Sequence, residues 1–132
     1  MKKIITLCAV LLSFLAFTAM QTSNKPEFKF ESETHDFGKI PQGTPVTTDF
    51  KFTNVGKEPL IISDVKPTCG CTTREYTKTP VKPGESGFIR LTFNAAVAAP
   101  FSKAVTVLSN AETPTKMLYI KGEVLAKPGE TK

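Results

Sequence analysis

Two cysteines one glycine apart, in Lys66-Pro67-Thr68-Cys69-Gly70-Cys71-Thr72-Thr73, are the residues of this chain best suited to chemistry. Gly70 has no Cβ and tolerates positive φ, so the sequence predicts a turn tight enough to bring both sulfurs to one side. A disulfide across one residue closes so small a ring that loop entropy contributes only about 1.5 kcal/mol, less any strain. Exposed, weakly stabilised bridges are the labile ones, which makes thiol–disulfide exchange at Cys69 and Cys71 one reading. Soft thiolates also bind Cu(I) or Zn, which makes metal carriage another. An inert oxidised turn and a pairing between two chains complete the set, and the sequence does not choose among the four.

Other reactive side chains are sparse. His35 is the sole histidine. In an extended segment its neighbour Asp36 points to the opposite face, which disfavours a His-Asp couple. A Cys-His nucleophile pair requires the fold to bring His35 to Cys69 or Cys71. Asp36-Phe37-Gly38 matches three letters of the kinase metal-binding motif, but no glycine-rich nucleotide loop accompanies it, so it reads as a strand end and turn. Met117 is the one thioether that could join the thiols around copper, and its place beside an alternating strand favours packing. No ligand set for a metal is defined, no catalytic residue is assigned and no cofactor is expected.

The compartment bears on the thiols. The chain of 132 residues opens Met1-Lys2-Lys3, and an uncharged run follows over residues 4–24, nearly all apolar over residues 4–17. A positive start, a short apolar core and small residues after it predict a secretory signal over residues 1–20, with the cleavage bond undefined. The protein is then expected to be exported, periplasmic or secreted. The alternative is an uncleaved N-terminal membrane anchor, for which the apolar run is at the short end of the roughly 17–25 residues needed. Cys8 leaves with the signal, so Cys69 and Cys71 face an oxidising compartment. Two cysteines exclude a four-cysteine zinc site within one chain.

From residue 21 onward the chain carries 15 Lys+Arg, being 17 less Lys2 and Lys3, against 12 Asp+Glu. These charges are interspersed, with no basic stripe, so nucleic acid is not an expected partner. A membrane is one only if the signal stays attached. About a hundred residues suffice for one core.

The elements that position the cysteines read as strands, because short alternating runs recur between Gly, Pro and Asn and no long helical period appears after residue 20. Phe28 and Phe30 alternate, Phe37 closes the first stretch, and Lys39-Ile40-Pro41-Gln42-Gly43-Thr44-Pro45 breaks it. Val46, Thr48, Phe50 and Phe52 form one face, and Asn54-Val55-Gly56-Lys57 turns the chain through residues that tolerate positive φ. Leu60, Ile62 and Val65 lead into the Cys-Gly-Cys turn. Residues 72–80 are a short strand or a crossing loop. Ile89, Leu91 and Phe93, then Val105 and Val107, then Leu118, Ile120 and Val124 supply three further strands. Residues 126–132 read as a flexible tail. The expectation is an all-β fold over residues 21–125, an immunoglobulin-like antiparallel sandwich of about seven strands. Its core is predicted from Phe50, Phe52, Leu60, Ile62, Ile89, Leu91, Phe93, Val105, Val107, Leu118 and Ile120.

The strings Asp36-Phe37-Gly38-Lys39-Ile40-Pro41-Gln42-Gly43, Phe52-Thr53-Asn54-Val55-Gly56-Lys57-Glu58-Pro59-Leu60-Ile61-Ile62, Thr68-Cys69-Gly70-Cys71-Thr72 and Pro80-Val81-Lys82-Pro83-Gly84 resemble the exported bacterial family called domain of unknown function 1573. Ser109-Asn110 and Ile120-Lys121-Gly122-Glu123-Val124 fit the same pattern. The Phe-Gly…Gly…Asn-x-Gly arrangement is also similar to immunoglobulin-like domains of the major-sperm-protein and hydin-related kind. The resemblance implies a binding module rather than an enzyme and carries no catalytic residues. The expected function is thus a non-enzymatic binding or structural module for a protein or peptide, with strand addition at a sheet edge as one route. Redox exchange and Cu(I) or other soft-metal binding at Cys69 and Cys71 are the alternatives.

Overall fold

The computed structural model describes residues 24–127, in which every regular element is a strand. The expected signal over residues 1–20 and residues 128–132 of the expected tail lie outside the described residues. Among the described residues no helix is long and apolar enough to cross a membrane.

Eight strands form two packed sheets: β1 (Phe28–Phe30), β2 (Thr34–Pro41), β3 (Val46–Asn54), β4 (Ile62–Pro67), β5 (Thr72–Tyr76), β6 (Ser86–Phe93), β7 (Pro100–Ser109) and β8 (Thr115–Leu125). The first sheet has the order β1-β3-β6-β5 and the second β2-β8-β7-β4. All eleven residues predicted for the core are buried between them.

Three expectations are corrected. The N-terminal stretch is two strands, because the chain leaves the first sheet after Phe30 and joins the second at Thr34. β1 is antiparallel to β3, and β2, continuing onward, lies parallel to β8, so the second sheet is mixed rather than antiparallel. The expected break at Lys39-Ile40-Pro41 belongs to β2. A register shift between Asp36 and Lys39, with Gly38 at φ 67°, turns Ile40 into the core. An inserted residue resets the two-residue alternation, which is why the pattern of the flanking phenylalanines does not reveal it. Residues 72–76 are a strand, paired with β6 over their whole length.

The turn after β3 works differently from its sequence reading. Neither Asn54 nor Gly56 has positive φ; among the described residues those that do are Gly38, Gly43, Gly84 and Ala95. The buried Asn54 side chain donates to the carbonyls of Glu58 (2.6 Å) and Val81 (2.9 Å) and accepts from the amides of Gly56 (2.9 Å) and Glu27 (3.3 Å). Gly56 is needed for close approach: a Cβ there would sit 2.5 Å from Pro26 Cα and nearer still to the Lys25 carbonyl. This knot holds the incoming chain at one end of the sandwich. β3 runs from Val46, opposite Phe93, to Asn54, opposite Phe28, so the Cys-Gly-Cys turn lies at the other end.

Candidate functional site

The two cysteines lie where the chain crosses between sheets. β4 ends at Pro67, yet the Thr68 amide still reaches the Ala104 carbonyl of β7 (3.2 Å). The Thr72 amide then turns back on the Cys69 carbonyl (3.5 Å), and the Cys71 carbonyl accepts from Asn94 (3.0 Å), which starts the pairing of β5 with β6. Cys69 thus closes an edge strand of one sheet and Cys71 opens an edge strand of the other. They are joined as a disulfide with their Cα atoms 5.3 Å apart, an ordinary separation for a bridge. The expected positive φ at Gly70 does not occur, since the turn over residues 69–72 closes without it. Gly70 is exposed, and a Cβ there would meet nothing within 4 Å.

Thr72 is buried beneath the bridge, its hydroxyl oxygen 4.0 Å from Cys69 Sγ and 3.9 Å from Cys71 Sγ. Disulfide sulfurs carry no proton, so the hydroxyl is the donor in both contacts. Cys71 packs against the core and also forms part of the wall of a cleft of about 290 Å³. The remaining wall is Phe93, Asn94, Ala96, Val97, Ala99, Pro100, Phe101 and Lys103. Its floor is the stacked pair Phe93 and Phe101, with ring centroids 4.1 Å apart. The rim is a loop held to the β2–β3 connection: the Gly43 amide donates to the Ala95 carbonyl (2.8 Å) and Gln42 Nε2 to that of Ala96 (3.0 Å). In this loop Val97 is 70% exposed, a large apolar side chain left mostly uncovered in the isolated domain.

Lys103 is the one charge in this lining. Alternation along β7 puts it on the inward side with Phe101 and Val105, and it is half-buried. Among the described residues it makes no ion pair. Phe101 and Lys103 were not among the residues singled out from the sequence. A lysine in phase with Phe101, Val105 and Val107 was the available signal, because a charge on a core-facing position is the informative exception.

The other sequence candidates are not brought to the turn. His35 packs edge-on against Phe37 at 4.6 Å, on the opposite edge of the second sheet from β4. Three strand spacings of ~4.8 Å put those edges about 14 Å apart, which removes a Cys-His pair. Asp36-Phe37-Gly38 is the bulge within β2 rather than a strand end, its aspartate accepting from the Gly38 amide at 2.8 Å. Met117 Sδ accepts from Thr106 Oγ1 at 3.3 Å, a cross-strand contact on the outer face of the second sheet. Among the described residues no three His, Cys, Asp or Glu side chains are grouped to hold a metal ion.

All four sheet edges carry features that discourage strand addition. β1 has three residues, β2 has its bulge and Pro41, and β4 has a register shift and ends in Pro67. On β5, Arg74 shares the inward side with Thr72 and pairs with Asp64 of β4 at 3.7 Å, latching the two edges beside the disulfide. On the outer face of the first sheet, Arg90 donates to both oxygens of Asp49 (2.7 and 3.0 Å) and reaches Glu75 at 3.4 Å. Hydrogen bonding from the Arg90 guanidinium holds the Asp49 carboxyl below the usual carboxylate range, against a smaller opposing effect of burial.

Two packed sheets of four strands, with the chain passing from one sheet to the other between β1 and β2, define an immunoglobulin-like sandwich. The chain belongs to the family described as protein of unknown function (DUF1573), which matches residues 28–124. No curated protein matches it in sequence. Among solved structures it is similar to a Porphyromonas gingivalis W83 protein of unknown function, at 21% identity and a TM-score of 0.69, over 82% of this chain and 51% of that one. It is similar to the ASH/PapD-like domain 7 of human CEP192, at 11% identity and a TM-score of 0.64, over 83% of this chain and 92% of that one. A Vibrio cholerae VesB protease structure matches at 15% identity and a TM-score of 0.57, over 76% of this chain and 32% of that one. The chain therefore spans about half of the Porphyromonas chain and about a third of the VesB chain. These likenesses concern the fold.

Proposed function

We propose that this domain is an exported, non-enzymatic recognition module that binds a protein or peptide segment in the apolar cleft beside the Cys69–Cys71 turn. The observation that carries this reading is the cleft itself: about 290 Å³, open to solvent and lined by the stacked Phe93 and Phe101 and by the exposed Val97. Concave, mostly apolar sites with one or two placed polar groups are the common form of a binding site. The blunted edges favour the cleft over strand addition, and the cleft lies at the opposite end from residues 24–27. Export is supported by Met1-Lys2-Lys3 and the apolar run after it. A photo-crosslinker at position 97 of the exported protein tests the reading. Adducts with envelope proteins are expected from position 97 and not from position 73 on the β5 edge; the reverse pattern would overturn it.

A second reading, thiol–disulfide chemistry at Cys69 and Cys71, is favoured by one arrangement. The bridge sits in a part-exposed turn, with the Thr72 hydroxyl within reach of both sulfurs.

A further inference from the structure

Cys71 belongs to two structures at once, the disulfide and the cleft wall, whereas Cys69 lies on the turn outside that lining. A segment seated against Phe93 and Phe101 therefore meets Cys71 before Cys69. Lys103 lines the same cleft without an ion pair among the described residues, so a negative charge arriving there is favoured. A nearby ammonium shifts a thiol toward its thiolate, the form that attacks disulfides. Thr72 Oγ1, 4.0 Å from Cys69 Sγ, can donate to a thiolate released on that side.

Building on the reading that the cleft binds a peptide segment, and replacing its non-enzymatic part, we infer that the Cys69–Cys71 bridge oxidises a cysteine pair carried by that segment, with Cys71 Sγ as the sulfur attacked. The substrate class is a dithiol peptide whose cysteines adjoin an apolar side chain. That side chain fills the cleft, and the adjacent thiolate, drawn by Lys103, attacks Cys71 Sγ. A sulfur–sulfur bond forms between substrate and Cys71, the Cys69–Cys71 bond breaks, and its electron pair stays on Cys69 Sγ. Cys69 takes up a proton from water. The second substrate thiolate then attacks the substrate sulfur of the mixed disulfide and expels Cys71, which is protonated in turn. The substrate dithiol becomes a disulfide, this chain gains two electrons as a dithiol, and the two protons lost by the substrate balance the two gained.

The test uses the mature protein and three synthetic peptides: a leucine-flanked dithiol, the same dithiol with aspartate for leucine, and the leucine peptide with both sulfurs methylated. Trapping with a single-cysteine leucine peptide should place the adduct on Cys71 by mass mapping. The leucine dithiol should reduce the bridge at least about threefold faster than the aspartate dithiol. Lys103→Gln should slow the leucine dithiol by a similar factor yet leave reduction by a neutral trialkylphosphine unchanged, since the attacking nucleophile in that reaction carries no charge for Lys103 to attract. An adduct on Cys69, equal rates for the two dithiols, or no effect of Lys103→Gln would each overturn the inference. Binding of the methylated peptide, abolished by Val97→Asp, separates the two readings. If it persists while the adduct maps to Cys69, the exchange scheme falls and the cleft stands; if it is absent and the two dithiols react equally, both fall.

Discussion

The side-chain amide of Asn54 lies 2.9 Å from the Val81 carbonyl, tying the end of β3 to the bridge that Val81 makes with Leu60. The same side chain holds Glu27, Gly56 and Glu58, so three separate segments meet on one buried residue. Asn54→Ala removes the side-chain partner of the Glu27 and Gly56 amides and of the Glu58 carbonyl, all part-buried, while the Val81 carbonyl keeps only its bond from the Leu60 amide. A loss of about 3 kcal/mol or more is expected, from the cost of unsatisfied buried groups. Equilibrium denaturation checks it. Asn54→Asp should also destabilise, because it replaces two donors with an acceptor facing two carbonyls.

Two glycines, each flanked by residues of interest, should respond in opposite ways. Gly56→Ala forces a Cβ onto the Lys25 and Pro26 backbone, which has no flexible atom to move, so severe destabilisation or failure to fold is expected. Gly70→Ala places a methyl in open space at a φ that needs no glycine. Its stability should stay within about 0.5 kcal/mol of wild type, as for ordinary surface changes. Thermal melts of the two variants make the comparison, and a damaged Gly70→Ala would show that the turn is held differently.

Alternation made much of this fold legible, because β3, β6, β7 and β8 each bury one side and expose the other. It carried no information about Ile40, whose side is set by the Gly38 bulge, or about Val81, which is buried through a lone bridge with Leu60. The parallel β2–β8 pairing was hidden for a related reason: the sheet switch at residues 31–33 is a matter of long-range partners, and local pattern is silent on these. The site was half legible. Cys69 and Cys71 stand out by type and spacing, but the cleft needs Phe93, Phe101 and Val97 from separate strands and a loop. Asn54 and Gly56 were recognised as a turn for the wrong physical reason, since conformational tolerance and close packing leave the same letters.

Phe93 closes the core and floors the cleft, at 5% exposure and 4.1 Å from the Phe101 ring. Phe93→Ala is expected to cost about 3–5 kcal/mol, a large share of the stability of a domain this size. Val97→Asp, by contrast, should leave the melting temperature nearly unchanged while abolishing ligand binding, because Val97 is 70% exposed. Melting curves and binding measured on the same preparations separate the two roles.

The Asp49–Arg90 pair sets a direction for acid sensitivity. The folded carboxyl titrates below its unfolded counterpart because Arg90 hydrogen-bonds to its charged form. Its stabilisation is therefore complete above the ordinary carboxylate range of about 4 and fades as pH falls through the lowered folded value. Both side chains are solvent-exposed, so the effect is small. Asp49→Asn should lower stability slightly near neutrality and converge on wild type at low pH, as measured by urea denaturation across a pH series. A difference that widened toward low pH would reverse the sign and remove this pair as its source.

The disulfide should matter little to folding, and this follows from its ring size and its place in the sheets. Cys69 and Cys71 are two residues apart in sequence, and the chain-entropy relation gives so short a loop only about 1.5 kcal/mol. The strands it joins are already fixed without it. β4 pairs with β7 up to Pro67, β5 pairs with β6 from Thr72, and the Arg74–Asp64 contact links the two edges. Cys69→Ser/Cys71→Ser should therefore keep its cooperative all-β unfolding within ~2 kcal/mol of wild type. A part-exposed bridge that adds so little to the fold gives up little on reduction, so its potential should lie above the roughly −300 mV of inert structural disulfides. Thiol trapping across a glutathione series measures that potential, and denaturation of oxidised and reduced protein gives the same free-energy difference independently. A potential below that value, with a double-serine variant that fails to fold, would make the bridge a structural staple and remove exchange from consideration.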